Sequence, residues 1–526
     1  MRQLQSLARR FCSHSPGYMI TTPIFYVNSA PHLGHLYSCL LADAHQRYTK
    51  LSTSKHKRII FSTGTDEHGL KVQQAASKAN LSPEQFVGAV SPQFQGLFDK
   101  CSLDYTDFVR TSDERHKEVV RIVWQRMEEA GALYKSEYSG WYSIQEEAFV
   151  PETQVEERGG QHFSTETGQR LDWAREENWM FRLSQYGSSL LSWHRHQAPV
   201  SPGLFRGQVA AWLAEGLGDL SVSRPAERLN WGVKVPGDPS QTVYVWIDAL
   251  VNYLTASNYP NLEVWPPTVQ VLGKDILKFH SIYWPAMLMC LELELPHKLL
   301  VHSHWTVENV KMSKSIGNVV DPNTLLEKYS SDGLRYFLLR EGVPHSDGNF
   351  SESSMVKLLN LELADTLGNL LNRCSSKGVN SEKIIPRYPA DYHEESRLHN
   401  ELESLQEELS SRVGESYQTF NFYQGIVLVM DLLRLTNQFV QTVQPWTLKQ
   451  ETDRDRLHWV LAASFESLRI SGILLQPVVP GLASRLLDKL NIDSTERHWA
   501  AARPGFRNKA GHLAEGKTVL FTKIRS

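Results

Sequence analysis

Cysteine is scarce in this chain: five stand among 526 residues, Cys12, Cys39, Cys101, Cys290 and Cys374, with no CxxC pair. That spacing excludes a four-cysteine zinc knuckle, and so few thiols build no disulfide framework in a chain this long. Acid is missing from the start. No Asp or Glu precedes Asp43, while Arg2, Arg9 and Arg10 punctuate Leu, Ser and Gln in MRQLQSLARRFCSHS. A basic, Ser-containing, acid-poor leader has the composition of a mitochondrial transit peptide, so residues 1–17 are expected to be a targeting segment. No run of 18 apolar residues occurs, which predicts no membrane span. Positive charge is not in excess either: 55 Lys and Arg face 58 Asp and Glu, net -3. Any nucleic-acid partner must therefore be held by local patches and specific contacts.

The length predicts several domains. YMITTPIFYV, from Tyr18, reads as a buried strand with a kink or end at Pro23. Leu36, Leu40, Leu41, Ala44 and Tyr48 recur at three and four residues, which predicts a helix over 34–51. RIIFST (58–63) reads as a second strand, followed by a loop, TGTDEHG. Ser82 and Pro83 open a further helix, and DERHKEVVRIVWQRMEEAG (113–131) is another, closed by Gly131. Alternating strands and helices predict an α/β fold with a Rossmann-type, doubly wound parallel sheet.

The texture changes at Ala132. Residues 132–230, rich in Trp, Tyr, Gly and charge, read as an inserted connective domain. TVYVWID (242–248), TVQVLG (268–273) and KLLVHS (298–303) read as strands and restore the α/β pattern. Beyond about residue 351 every strong period is helical, and Leu363, Leu367, Leu370 and Leu371 form one apolar stripe. The expected divisions are an α/β domain in two halves (18–131 and 231–296), the insertion (132–230), a region 297–350, an all-α bundle (351–500) and a tail (501–526). From Arg503 to Arg525 that tail carries six Lys or Arg and one Glu. It reads equally as a contact for nucleic-acid phosphates or as a solvated end.

Two short motifs carry chemistry. HLGH (32–35) sits where the first strand gives way to a helix N-terminus, a place that offers N–H groups and partial positive charge to an anion. His32 and His35 add donors there, and Gly34 lets a ligand approach the backbone. KMSKS (311–315) puts Lys311, Ser313 and Lys314 on a polar loop that can close over phosphates. Forming an acyl-adenylate from a carboxylate and ATP needs no general base, because the carboxylate is already ionised. It needs positioning and stabilisation of phosphoryl charge. HxGH alone is equally a satisfied turn, or the loop of a nucleotidylyltransferase. KMSKS alone is equally a solvated basic loop. Together, after the first strand and after the last, they predict nucleotide activation.

The chain resembles the class I aminoacyl-tRNA synthetases. TTPIFYVNSAPHLGH, TGTDEHG, VYVWIDALVNYLTA, GKDILKFHSIYWPAML and KMSKSIGNVVDP together resemble the methionyl-tRNA synthetases among them, over nearly everything from Tyr18 onward. With the basic leader, the chain looks like the mitochondrial form. The resemblance implies a ligase that activates methionine with ATP, entering with Mg2+ as substrate, and charges tRNA(Met) in the mitochondrial matrix. It implies that His32, His35, Lys311 and Lys314 are catalytic and that Gly34 and Ser313 join them around ATP. A methionine pocket is implied at Ile24, Tyr26, Asp66, Trp246, Ala249, Leu250, Tyr253, Ile276 and His280, with Asp66 on the substrate ammonium. A polarizable thioether favours aromatic walls, and a Tyr253 hydroxyl oriented by His280 is expected to bond the sulfur. Some relatives have Pro where Leu250 stands, which leaves that position's role open.

WYSIQEEAF stands where many relatives carry paired cysteines. No structural zinc is therefore expected, and Trp141, Tyr142 and Phe149 must hold that segment instead. In the helical domain, Asn369, Asn372 and Arg373 share a polar face opposite the leucine stripe. Pro445 places Trp446 near a turn, where an exposed indole can stack an unpaired base. The resemblance implies that Asn369, Arg373 and Trp446 read the CAU anticodon and that 297–350 contacts the tRNA stem; with no extra tRNA-binding or dimerising module following, a monomer is expected. An alternative of another class, a catalytically silent RNA-binding descendant of a synthetase, is disfavoured by intact His32, His35, Lys311 and Lys314.

Overall fold

The computed structural model describes residues 17–53, 58–143, 148–150, 152–165, 167–311, 318–389, 392, 394, 396–505 and 510–525. The expected leader therefore lies outside the described residues, apart from Gly17. The chain forms two compact units. One holds the chain up to Pro31, His56–Gly96 and Tyr105–Val301; the other holds His32–Lys55, Leu97–Asp104 and everything from His302.

The first unit is built on a six-stranded sheet in the order Asp107–Arg110, Ile59–Asp66, Tyr18–Tyr26, Val269–Gly273, Leu299–His302, Val200–Ser201. The pairings of Tyr18–Tyr26 with both of its neighbours are parallel. Chain order runs outward from Tyr18–Tyr26 to Asp107–Arg110 on one side and to Leu299–His302 on the other, so the order reverses beside it. In such sheets the ligand crevice lies at that switch point, beyond the carboxyl ends of the strands. The last edge strand, Val200–Ser201, comes from within the stretch read as an insertion and pairs in parallel with Leu299–Leu300.

Of the two readings open at Pro23, a kink or an end, the strand takes the first: the register slips between Thr21 and Ile24, and pairing resumes as Ile24 with Gly64, Phe25 with Thr65 and Tyr26 with Asp66. A bulge is where a residue without an N–H is tolerated. Two other local readings are corrected. The second strand does not stop at Thr63 but runs to Asp66. Gly64 makes this feasible, because a Cβ there would lie 1.9 Å from the Val109 carbonyl oxygen of the next strand. TVYVWID is not one strand: Asp238–Val243 ends before Tyr244, and Val245–Leu250 is helical. A short apolar, β-branched run does not by itself distinguish a strand from a buried helix.

In the insertion, Leu133–Ser143 pairs antiparallel with Arg170–Phe181 in an unbroken register from Leu133–Phe181 to Tyr142–Asp172. The Trp141 ring stacks on His162 at 3.7 Å and meets Trp173 edge-on at 5.1 Å. Tyr142 meets Phe149 at 5.0 Å, with the Arg228 guanidinium 3.9 Å from the Tyr142 ring. Rings and cations thus knit this sheet together. Among the described residues, no three His, Cys, Asp or Glu side chains are grouped to hold a metal ion.

The second unit begins with the helix Leu33–Ser52 and includes a small sheet of Trp305–Val307, Val310–Lys311 and Gly348–Phe350. Its long helices Arg397–Gln418, Phe422–Val443 and Arg454–Leu475 pack in succession. Ahead of them, Asn360–Gly368 is a π-helix that runs into the α-helix Asn369–Ser375. Leu363, Leu367, Leu370 and Leu371 are all buried, as their spacing predicts. The end of the tail is docked on the protein: Ile524 exchanges hydrogen bonds with the Asn360 side chain, and Lys523 lies 2.7 Å from Asp365. No described helix is long and apolar enough to cross a membrane.

Candidate active site

In the first unit, the strand register sets Tyr26 beside Asp66 at the carboxyl ends of adjacent strands. The side chains of Ile24 and Ala249 share one apolar cluster. Tyr26, Trp246, Leu250 and Tyr253 share another, and Trp246 stacks on Phe279 at 3.9 Å. Tyr253 and His280 are buried and joined, hydroxyl to Nε2, at 2.6 Å, and the His280 Nδ1 lies 3.0 Å from the Ile276 carbonyl. Of the nine residues expected to form a methionine pocket, Ile24 and Ala249 fall in one apolar cluster and Tyr26, Trp246, Leu250 and Tyr253 in a second, while Asp66 stands beside Tyr26 by register and the Ile276 carbonyl meets His280.

The hydrogen bonds also fix protonation. A carbonyl only accepts, so His280 carries its hydrogen on Nδ1. Burial pushes the His280 pKa down to about 4, so the ring is neutral near pH 7 and its Nε2 is an acceptor. Tyr253 must then donate to His280. The hydroxyl hydrogen expected to reach a substrate sulfur is therefore committed to the imidazole, and Tyr253 serves as a fixed, oriented phenol.

Behind this wall lie charged residues to which the sequence reading gave no role. Asp248, on the Val245–Leu250 helix, receives His68 Nδ1 at 2.6 Å and His116 Nε2 at 2.9 Å, with all three side chains buried. Burial raises the carboxyl pKa, but the two imidazoles outweigh it and hold Asp248 well below the usual carboxylate range. Glu67, next to Asp66, accepts from Arg110 Nε at 2.7 Å, from Thr65 and from Ser112. These bonds fix the end of the strand that carries Asp66 and the helix that carries Trp246. Glu67, His68, Asp248 and Phe279 stand inside quoted motifs, and a charge in an apolar run such as VWIDAL was the available signal for Asp248. Arg110 and His116 gave none.

In the second unit, His32 caps the helix Leu33–Ser52. Its Nδ1 accepts from the Gly34 N–H at 3.1 Å, and the His32 N–H donates to His35 Nδ1 at 3.2 Å. The two rings stack at 3.7 Å. Each neutral ring therefore bears its hydrogen on Nε2. This corrects the expected source of donors: the N–H groups of His32 and Gly34 are bonded within the motif, and the remaining hydrogens of the two rings are those on Nε2. Gly34 also has a second reason to be glycine, since a Cβ there would lie 3.0 Å from the His32 ring.

Lys311 ends the hairpin strand paired with Trp305–Val307, whose turn places Glu308 and Asn309 at positive φ. Ser313 and Lys314 lie outside the described residues. The two motif-bearing elements meet through Tyr37, edge-on to His302 at 5.2 Å and to Trp305 at 5.8 Å, and through Ser38 Oγ, 2.7 Å from His302 Nε2.

Also in the second unit, the Arg373 guanidinium lies 5.1 Å from the centroid of the Trp446 ring and donates to Gln441 at 2.8 Å. Asn369 is exposed and Trp446 half-exposed. Asn369 and Arg373 thus lie on the short helix Asn369–Ser375 and Trp446 on the turn Pro445–Thr447, and the cation–ring contact joins the two.

A family model described as tRNA synthetases class I (M) matches residues 18–375, and one described as the anticodon binding domain of methionyl tRNA ligase matches 389–526. The mitochondrial methionine--tRNA ligase of Bos taurus is 48% identical, covering 91% of this chain and 84% of that protein. The chain belongs to the class I methionyl-tRNA synthetase family. The human mitochondrial methionine--tRNA ligase is 47% identical with the same coverage, and a probable mitochondrial one from Schizosaccharomyces pombe 41%, covering 91% of both. Mycobacterium tuberculosis methionyl-tRNA synthetase in complex with methionyl-adenylate superposes on this synthetase with a TM-score of 0.90 at 35% identity, over 96% of this chain and 99% of that one.

Proposed function

We propose that this synthetase is a mitochondrial methionine--tRNA ligase that works in the matrix as a monomer. Methionine's carboxylate attacks the α-phosphorus of ATP, which enters with Mg2+ as substrate. The bond to the β-phosphate oxygen breaks, and pyrophosphate leaves. A ribose hydroxyl at the 3′ end of tRNA(Met) then attacks the adenylate carbonyl, and AMP leaves.

In this reading, residues 18–131 and 231–296 form the catalytic domain. Asp66 holds the substrate ammonium. Ile24, Tyr26, Trp246, Ala249, Leu250, Tyr253, Ile276 and His280 enclose the thioether. A sulfur beside rings gains from polarizability rather than from one strong donor. His32 and His35 direct paired Nε2 hydrogens at phosphate oxygens, beside the helix N-terminus. Lys311, Ser313 and Lys314 complete the phosphate contacts as the transition state forms. Residues 297–350 meet the tRNA stem, and Asn369, Arg373 and Trp446 take the CAU anticodon, Trp446 by stacking.

The observation that carries this reading is the stacked His32–His35 pair, whose Nδ1 atoms are bound inward, in the same unit as the Lys311 hairpin. ATP–pyrophosphate exchange tested with each of the twenty amino acids decides it. Exchange with methionine alone, followed by charging of mitochondrial tRNA(Met), is expected. Exchange with none, or with another amino acid, overturns it. Lys314→Ala is expected to lower turnover far more than it weakens methionine binding.

A further inference from the structure

The π-helix Asn360–Gly368 lies directly before Asn369, and its bonding is five-residue: the Asn369 N–H reaches the Ala364 carbonyl. Such stretches are usually a single turn long and cluster at functional sites. This one spans nine residues and is held from several sides. Glu362 is buried and accepts from Tyr336 at 2.6 Å and from Arg434 at 2.6 Å, with Arg340 3.2 Å away. Asn437 donates its side-chain amide to the Thr366 carbonyl at 3.0 Å. Gly368 fits the wide turn, since a Cβ there would lie 3.1 Å from the Leu363 carbonyl oxygen.

An α-helix turns about 100° per residue, so one residue taken up or released in the wide stretch rotates everything after it by about that much. The first residues after it are Asn369 and, one turn on, Arg373. We infer that Glu362 and Asn437 are positioning residues for anticodon reading: they hold the π-helix whose phase decides where Asn369 and Arg373 face. Glu362 suits this role because a buried carboxylate with two guanidiniums has one low-energy place, and moving the helix would strand its charge. The inference rests on the proposed anticodon contacts, and it assigns a function to a stretch that precedes them in the chain.

The test uses the full chain and two transcripts of mitochondrial tRNA(Met), one with CAU and one with that triplet replaced. Glu362→Gln, Asn437→Ala and a deletion of Ala364 are compared with the parent. Each is expected to raise KM for the CAU transcript about tenfold or more. Charging of the altered transcript and methionine-dependent ATP–pyrophosphate exchange should stay within about twofold, so the discrimination ratio collapses. A merely structural role would lower exchange and both charging reactions together, and that result overturns the inference. So does an unchanged ratio in Glu362→Gln and Asn437→Ala, the variants least prone to misfold. Trp446→Ala and Asn369→Ala serve as controls. If they leave the ratio intact, the anticodon assignment itself fails; if they abolish it while the Glu362 and Asn437 variants do not, only this inference fails.

Discussion

Asp43 and Arg335 meet at 2.7 Å with both side chains wholly out of solvent. Asp43 lies on the helix that His32 caps. Arg335 turns its other hydrogens to the carbonyls of Cys101, Pro477 and Val478. The helix that His32 caps is thus bolted to the turn after Arg454–Leu475. Burial raises the Asp43 pKa, and Arg335 and Arg47 more than reverse this, so the carboxylate stays ionised. Removing one partner of a buried ion pair strands the other. Asp43→Asn is therefore expected to lower unfolding free energy by about 3–5 kcal/mol, read by urea denaturation. A loss under about 1 kcal/mol would mean that water relieves the pair.

The His35 ring serves two ends of one residue: Nδ1 caps the backbone and Nε2 carries a donor. Asn places its oxygen near the Nδ1 position, and Gln places its amide nearer Nε2. His35→Asn should keep its melting temperature while turnover in ATP–pyrophosphate exchange falls by about 10²–10³-fold. His35→Gln should retain more turnover and lose stability, by about 1 kcal/mol for the lost cap. The reverse ranking would show that the ring works through its cap alone.

His280 gives a pH signature. Burial holds its pKa at about 4 in the folded protein, against 6.5 ordinarily. Between those values the unfolded chain binds more protons than the folded one. Stability should therefore rise with pH across that window and level off above it, with a contribution of roughly 3 kcal/mol. Denaturation midpoints of the parent and of His280→Asn, compared through the window, check this, since the variant should lose that part of the slope. Tyr253→Phe leaves the buried Nε2 without its donor and should destabilise by about 1–3 kcal/mol while raising KM for methionine.

The long elements were legible from the sequence because their apolar positions keep a strict period, as in the leucine stripe through Leu363 and Leu371. The helix after HLGH and the strands on either side of it are also where periodicity and motif predict them. Legibility failed where one residue type serves two geometries. Val, Tyr and Trp in TVYVWID suit a strand or a buried helix, and only the packing around Tyr244 decides. Gly64 reads as a loop former until the neighbouring Val109 carbonyl is seen beside it. The π-helix was illegible, because its extra residue per turn is a matter of hydrogen-bond pattern that leucine spacing tolerates. Nine residues expected to line a methionine pocket stand in motifs, yet the direction of the Tyr253 hydrogen required the Ile276 carbonyl, a backbone atom whose position no motif reveals.

The stacked rings of the insertion have a practical consequence. A knuckle cross-linked through metal falls apart when a chelator strips the ion or an oxidant takes the thiolates. Trp141 against His162, and Tyr142 under Arg228, offer neither point of attack. Chelator or mild peroxide should leave the melting curve of this segment where it was, whereas Trp141→Ala should bring it down, each aromatic pair being worth about 0.5–1.5 kcal/mol beyond its buried area. At these contacts the order of the sheet then depends on how rings and a neighbouring cation pack, so losing one ring uncovers the apolar faces of the others.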